Sequence, residues 1–407
     1  MRRSIPLLFL LLASVVVADD VKTEFGGHTK LRVVGQSFPD NSLYRDLAGA
    51  SALDTTAELR LNLKLSSGHW TFDSAYQLVG LQGDGLALGG GPPNDDRRLF
   101  NFSDVISEGG DSAILHRLDR FWVGYTSEKT VVRLGRQALS WGNGLVYAPM
   151  DLVNPFNPAA IDTEYKAGDD MLYLQYLQDN GNDIQMAHVA RRDPLTGDVA
   201  AEHATTAVKY HGFAGVAEFD LLVAHSYGDT VIGLGAGHPV GGAVWSADLV
   251  VTDAESDTRV QFVTNLMYSW VLGGKNMSGA VEYFYNGFGQ GSGRYDPASM
   301  AGNPDLAARL SRGELFTAGR HYLAANVMIE MTPLWTLTPT LLVNATDPSA
   351  LLQLVTNYSL SDNMTFLDSI NLPIGPDGSE IGGIETAIPN RYLSTDVGLF
   401  AQVAWDF

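Results

Sequence analysis

The chain has 407 residues, a formal net charge of −20 and no cysteine. That balance excludes a basic nucleic-acid-binding surface and a disulfide-stapled fold. With 43 glycines, 10% aromatic residues and a mean hydropathy near zero, it does not suit a disordered acidic chain either; it suits many short strands joined by turns. Length alone would suggest two or three soluble domains. No linker, low-complexity block or long helical pattern divides the sequence, so one closed sheet is the simpler expectation.

Residues 1–18, MRRSIPLLFLLLASVVVA, have the three parts of a secretory signal. Arg2 and Arg3 supply the positive start, Leu7 to Leu12 and Val15 to Val17 the apolar region, and Val16 and Ala18 the small residues before a cut after Ala18. The apolar region is short of the ~20 residues that a spanning helix needs. The expected organisation is a signal peptide, 1–18, and one domain, 19–407, that carries an inserted loop at 138–170.

From residue 24 onward, segments alternate between apolar and polar residues, the period of a β-strand with one apolar face. In EFGGHTKLRVV, Leu31 and Val33 fall on one face and His28, Lys30 and Arg32 on the other. In TAELRLNLKLS, Ala57, Leu59, Leu61, Leu63 and Leu65 alternate with Glu58, Arg60, Asn62 and Lys64. Further candidates run at 69–81, 115–126, 130–138, 170–178, 183–192, 205–212, 217–226, 230–237, 242–252, 259–272, 277–287, 320–332, 335–346, 350–360, 364–373 and 394–407. The expected fold is all-β, a transmembrane antiparallel up-and-down β-barrel of eighteen strands, with sixteen as the alternative.

The spacing of these segments is more informative than the segments. SSGH, TSEKT, QDNGND, GFAGVA, AGHPVGG, LGGKN, TPLW and SDNM are short connections rich in turn residues. They alternate with 34–56, 82–114, 139–169, 193–204, 288–319 and 374–393, most of them long. Short turns at one rim and long loops at the other are the pattern of a membrane barrel. A charged side chain facing lipid at mid-membrane costs roughly 2–4 kcal/mol. The leucine face of 57–65 must therefore point outward and Glu58, Arg60, Asn62 and Lys64 inward. The same logic sends Leu323, Val327 and Ile329 out, and Asn326, Glu330, Arg259, Gln261, Asn265 and Ser269 in.

Residues 138–170 read ALSWGNGLVYAPMDLVNPFNPAAIDTEYKAGDD, unusually apolar for a loop in water. Pro149, Pro155 and Pro158 stiffen it. Such a segment should pack on something, and the barrel interior is the nearest surface; folding back over the rim is the other option. Trp141, Asp151, Asn154, Phe156, Asp162 and Glu164 are its candidate pore residues. It follows the fifth strand and looks like the constriction loop of general porins. Gly135, Arg136 and Gln137 before it, and WGNG within it, resemble segments of proteobacterial outer-membrane porin-like proteins. The resemblance covers about forty residues and carries no catalytic residue.

Charge is unevenly distributed. Alternation places Lys30, Arg32, Arg60, Lys64, Arg120 and Arg133, with His28, in the lumen along the first five strands, as one basic wall. Arg117 and Arg136 are ambiguous, since a bulge could turn either inward. Glu218, Asp220, Asp248, Glu282, Glu330 and Asp368 are expected inward on the opposite wall, with Asp151, Asp162 and Glu164 of the loop facing the basic side. A basic wall favours anions; the plainer reading is that mixed charges pair across strands.

No metal or cofactor pattern appears. The nine histidines are scattered, with no HExxH and no HxH. GDGLALGGG lacks the lysine and following helix of a phosphate loop and reads as a loop tip. Asp95, Asp96, DPLTGD and PDGSE could hold Ca²⁺ weakly, though solvated loops are the plainer reading. His225 and Ser226 fall near the outer face, where a girdle histidine is a simpler explanation than a lipase site.

The chain ends on STDVGLFAQVAWDF. Val397, Leu399, Ala401, Val403, Trp405 and Phe407 share one face. The terminal Phe407 with Trp405 two residues earlier resembles the closing strand of Gram-negative outer-membrane barrels. The resemblance implies recognition of Phe407 by the barrel-assembly machinery. It also implies contact with outer-membrane lipids. An even strand number puts both termini on the periplasmic side; the wide polar lumen points to a passive channel for small hydrophilic solutes, and the basic wall to a leaning toward anions or carboxylates. The alternative is a non-transport barrel: an adhesin, receptor or structural protein. An enzyme is not expected.

Overall fold

In the computed structural model, which describes residues 21–88 and 93–407, eighteen antiparallel strands close into a barrel. In chain order they are β1 Lys22–Ser37, β2 Ser51–Ser67, β3 Trp70–Gly83, β4 Ser112–Thr126, β5 Thr130–Gln137 and β6 Asp169–Leu177. β7 Asp183–Val189, β8 Thr205–Ala214, β9 Ala217–Ser226, β10 Asp229–Val240, β11 Ala243–Asp253 and β12 Thr258–Leu272 follow. The last six are β13 Lys275–Asn286, β14 His321–Thr332, β15 Trp335–Asn344, β16 Ser349–Ser361, β17 Met364–Ile374 and β18 Gly398–Asp406. Each strand pairs with its sequence neighbours, and β18 pairs with β1 to close the sheet. The expected signal peptide, 1–18, lies outside the described residues.

Closure leaves no edge strand, so each of the eighteen strands is paired on both sides, the condition for spanning a bilayer with strands. At the seam Gly27 and the terminal Phe407 exchange two backbone hydrogen bonds of 3.0 Å. A Cβ on Gly27 would sit 2.1 Å from the Arg60 carbonyl oxygen, so only glycine fits the close approach of β1 to β2 there.

All eighteen expected segments are strands, including the glycine-dense β10 and β11. The faces follow the alternation. Leu31, Leu53, Val223 and Leu323 are exposed on the outer wall, while Arg60, Asn265 and Glu282 are buried within. One assignment is corrected. Asp368 pairs in register with Ala401 and Thr356, on the face of Ile370 and Leu399, both exposed outward. Ser369, not Asp368, points inward with Asn371, to which it is hydrogen-bonded. The polar residues Asp368, Ser369 and Asn371 lie close together, and the alternation was assigned one residue out of step.

One rim carries only short connections, such as Gly68–His69 and Gly273–Gly274. The other carries 38–50, 84–111, 138–168, 190–204, 287–320 and 375–397, with three short turns among them at 227–228, 254–257 and 345–348. Short helices decorate this rim at Leu43–Ala48, Asp84–Ala87, Pro297–Ala301 and Pro304–Arg312.

Part of the loop 84–111 lies against the wall. Its strand Ser103–Glu108 pairs with the part of β4 that rises above β5 and so extends the wall. Beneath it lies Arg136, with no exposed surface. By register Arg136 shares the outer face with Phe121 and Leu134. Asp95 of the loop at 2.7 Å and Asp170 of β6 at 2.9 Å clamp its guanidinium, and the Phe102 ring lies over it and meets Phe121 edge to face. Asp95 is therefore committed to Arg98 and Arg136 rather than open to a Ca²⁺ ion. Arg117 takes the other direction: its Nε donates to Gln77 in the lumen at 2.6 Å.

Candidate functional site: the lumen and its inserted loop

The lumen is wide because eighteen strands enclose it, and the segment 138–168 fills part of it. Three neighbouring strands on one side anchor it through backbone groups. Glu282 of β13 accepts the amides of Leu145, Val146 and Tyr147 at 2.6, 3.0 and 2.7 Å. Asp248 of β11 accepts from the Asn143 amide and its Nδ2, both at 2.7 Å, and Asn265 of β12 donates to the Asn143 carbonyl. Two of the carboxylates expected to form an acidic wall facing water are thus spent on holding this loop. Charged acceptors of backbone N–H groups make the stronger kind of hydrogen bond.

The WGNG segment is the turn that makes these contacts. Trp141 donates through Nε1 to Gln185 of β7 at 2.7 Å. Gly142 adopts φ +98, and a Cβ there would lie 2.9 Å from the Asp248 carboxylate. The apolar residues expected to need a surface find one inside the barrel. Trp141 and Met150 pack with Val131, Tyr173, Leu222, Val231 and Val250. Tyr147 stacks on Phe284 with centroids 4.8 Å apart.

The far end of the loop meets the opposite wall. Asp162 binds Lys30 Nζ at 2.7 Å and Arg32 at 3.0 Å, and accepts from Gln402 of β18. Burial pushes the Asp162 carboxyl up, but the Lys30 ammonium and the Gln402 amide outweigh it and bring it down to about 2. Glu164 binds Lys30 at 2.8 Å, and the Tyr165 ring lies under the Arg60 guanidinium at 4.2 Å. Between these ends, Gln353 of β16 donates to the Ala159 carbonyl.

Of the other loop candidates, Asp151 does not face the basic wall; it pairs with Lys166 of its own loop, the nearer cation. Asn154, at φ +50, donates to the Ala167 carbonyl within the loop. Phe156 lines a cavity of about 80 Å³ between this loop and the rim loop 287–320.

The six basic residues expected in the lumen all lie there, but mostly paired. Besides Lys30 and Arg32, Arg60 and Arg120 share Asp119, at 2.9 and 2.7 Å. Asp119 has no register partner in β3, the bulge that puts it beside Arg120 on the lumen side. Lys64 lies 3.8 Å from Glu24. Arg133 stacks over Trp122 and Tyr173 and has no acidic partner among the described residues. Arg60, Lys64, Arg120 and Tyr165 border a cavity of about 460 Å³, together with Glu24 and Asp73, the register partners of Lys64 on either side.

No family model and no curated protein matches the sequence. Among solved structures, Pseudomonas aeruginosa OccK5 (OpdH) superposes with a TM-score of 0.54 at 10% identity, over 95% of this chain and 98% of that one. Acinetobacter baumannii OccAB4 gives 0.53 at 8%, and P. aeruginosa OccK2 (OpdF), solved in complex with glucuronate, gives 0.52 at 10%, with the same coverage. At such identity the likeness is one of fold: the chain folds as Gram-negative outer-membrane porins do.

Proposed function

We propose that this protein is an outer-membrane channel for passive diffusion of small hydrophilic solutes, in a Gram-negative bacterium, with both termini periplasmic. One observation carries the reading. The loop 138–168 runs from Gln185, Asp248 and Glu282 on one side of the lumen to Lys30, Arg32 and Gln402 on the other. A segment so placed narrows the path and sets what passes; Asp162 and Glu164 fasten its far end to Lys30 and Arg32, while Trp141, Asp151, Asn154 and Phe156 shape and anchor it. In this reading residues 1–18 direct export, the apolar outer wall meets lipid, and Phe407, paired at the seam, presents the closing strand to the assembly machinery. No catalytic role is proposed for any residue.

An anion or carboxylate preference rests on Arg60, Lys64 and Arg120 around the 460 Å³ cavity, with Arg133 beyond them. The pairing of Lys30 and Arg32 with Asp162 restricts that preference to a local patch. The glucuronate bound by the similarly folded OccK2 fits the same solute class. Liposome swelling with glucose, glucuronate and glucosamine tests the reading: all three should enter, glucuronate fastest.

A non-transport barrel is the second reading, and one observation favours it. The rim loops pack on each other, with Glu380 accepting from Ala318, Tyr322 and Asn344. Liposomes that do not swell with any of the three solutes would select it.

A further inference from the structure

His28 stands on β1 at the barrel seam with no exposed surface, pointing into the lumen. Its Nε2 lies 3.1 Å from Glu58 Oε1. Glu58 is itself fixed by Gln77, whose Nε2 donates to the same oxygen at 2.9 Å. A carboxylate accepts, so in the neutral ring the hydrogen sits on Nε2 and Nδ1 is the nitrogen with the bare lone pair. Nδ1 has no hydrogen-bond partner among the described residues. A buried acceptor left unmatched is costly and calls for an explanation.

Two carboxylates stand beside the His28 ring. Asp406 of β18 is the register partner of His28 across the seam, and Glu164 comes from the end of the inserted loop. One ligand atom of each of the three residues lies within 4.8 Å of the other two. Asp406 and Glu164 are both exposed, so their carboxylates can turn toward a shared centre without repacking the wall.

We propose that His28 Nδ1, Glu164 and Asp406 bind a divalent transition-metal ion of the Zn²⁺ class, with water in the fourth position. One imidazole and two carboxylates suit a borderline ion and not Ca²⁺ or Mg²⁺, which prefer all-oxygen sets. Zn–N and Zn–O bonds of about 2.0–2.2 Å require the three ligand atoms to close inward from their present spacing. Glu58 completes the arrangement. A metal-bound histidine commonly donates its second N–H to a carboxylate, which fixes the ring and raises its basicity.

The surrounding charge accommodates a dication. Asp162 and Glu164 bind Lys30 and Asp162 binds Arg32, Glu58 is the register partner of Lys30, Asp406 stands opposite His28, and Arg60 is paired with Asp119. Lys30 contacts Oε2 of Glu164 at 2.8 Å, so the second oxygen is the one that would take the ion. Sequence spacing gave no hint of this site, because residues 28, 164 and 406 meet only when the barrel closes and the loop folds in. A bound ion would tie the first strand, the last strand and the inserted loop together at one point, whether or not the barrel conducts.

The test uses the full chain, folded in detergent and stripped with a chelator. Zn²⁺ is titrated in by calorimetry and its content measured by elemental analysis. Each variant is first shown to run as the folded, heat-modifiable form. The expected result is about one equivalent of Zn²⁺, bound at least tenfold more weakly by Glu164→Gln and by Asp406→Asn. Glu58→Gln should weaken it roughly 10–100-fold, as partners behind a ligating histidine do. Ca²⁺ should not compete. No saturable Zn²⁺ binding by the wild-type chain would overturn the proposal. So would equal affinity in the double variant Glu164→Gln/Asp406→Asn, or displacement of Zn²⁺ by equimolar Ca²⁺.

Discussion

Asp162 of the inserted loop and Lys30 of β1 lie 2.7 Å apart across 132 residues of sequence. Arg32 and Gln402 converge on the same carboxylate, so the loop's acidic end neutralises part of the basic wall instead of facing it across open water. Asp162→Asn should therefore remove one negative charge from beside Arg32 and Lys30, leaving Lys30 with Glu164 and Arg32 with no carboxylate among the described residues, and shift the reversal potential in a salt gradient toward anions. Replacing Lys30, Arg32, Arg60 and Lys64 together by Gln should shift it toward cations. Both effects should shrink at high salt, because the Debye length falls from ~10 Å at 0.1 M to ~3 Å at 1 M.

The same contact has a defined pH range. Lys30 holds the Asp162 carboxyl at about 2 against the push of burial, below its value in the unfolded chain. A depressed carboxylate stabilises the fold fully above the ordinary carboxylate range and loses that contribution as pH falls through about 2. Wild type and Asp162→Asn should differ in selectivity at pH 7 and at pH 5, and converge as pH approaches 2. Convergence already at about pH 4, the ordinary aspartate range, would mean the pair is not formed.

Arg136 should be among the residues least tolerant of change in the barrel wall. Removing one member of a buried charge cluster leaves the others uncompensated, typically at about 3–5 kcal/mol. Arg136→Met would strand Asp170 and leave Asp95 with Arg98 alone, and should lower by that order the urea stability of the heat-modifiable form. Arg136→Lys should cost less, because it keeps the charge and loses the two-pronged grip on Asp170.

Asp368 is a carboxylate on the lipid-facing wall. Replacing it with Leu should raise stability by about 1 kcal/mol in a bilayer, since an acidic side chain costs less than the 2–4 kcal/mol of a basic one at the midplane. A loss of stability on Asp368→Leu would show that this face is covered by something other than lipid.

Much of the fold was legible because burial in a membrane barrel is written at period two. Leucines 59 to 65 or the run from Val397 to Trp405 leave no alternative face. The exception, Asp368, sits among Ser369 and Asn371, where polar neighbours blur the alternation. The site was less legible. Trp141 and Tyr147 announced that the loop needed an apolar surface, but nothing local said that Glu282 and Asp248 would bind its backbone. Asp95 with Arg136, and His28 with Asp406, are tertiary pairings between segments far apart in the chain, and sequence periodicity carries no information about them. The same holds for the loop 287–320. Its length suggested an exposed segment, yet Phe288, Tyr295 and Leu306 are buried in a small core of their own.

That core changes where a protease should cut. On intact cells the first site is expected at 193–198, where Leu195 is 93% exposed, with 287–320 protected by its packing. The turns at Gly68–His69 and 333–334 should be spared if the short-turn rim faces the periplasm. Cleavage at those turns in intact cells would reverse the orientation.

The single-channel conductance of the full chain in a planar bilayer, compared with a variant lacking residues 145–160, tests most directly whether the inserted loop constricts an open channel. The expected result is discrete steps for the full chain and larger steps for the deletion. Steps of equal size in the two proteins, or none in either, would contradict it.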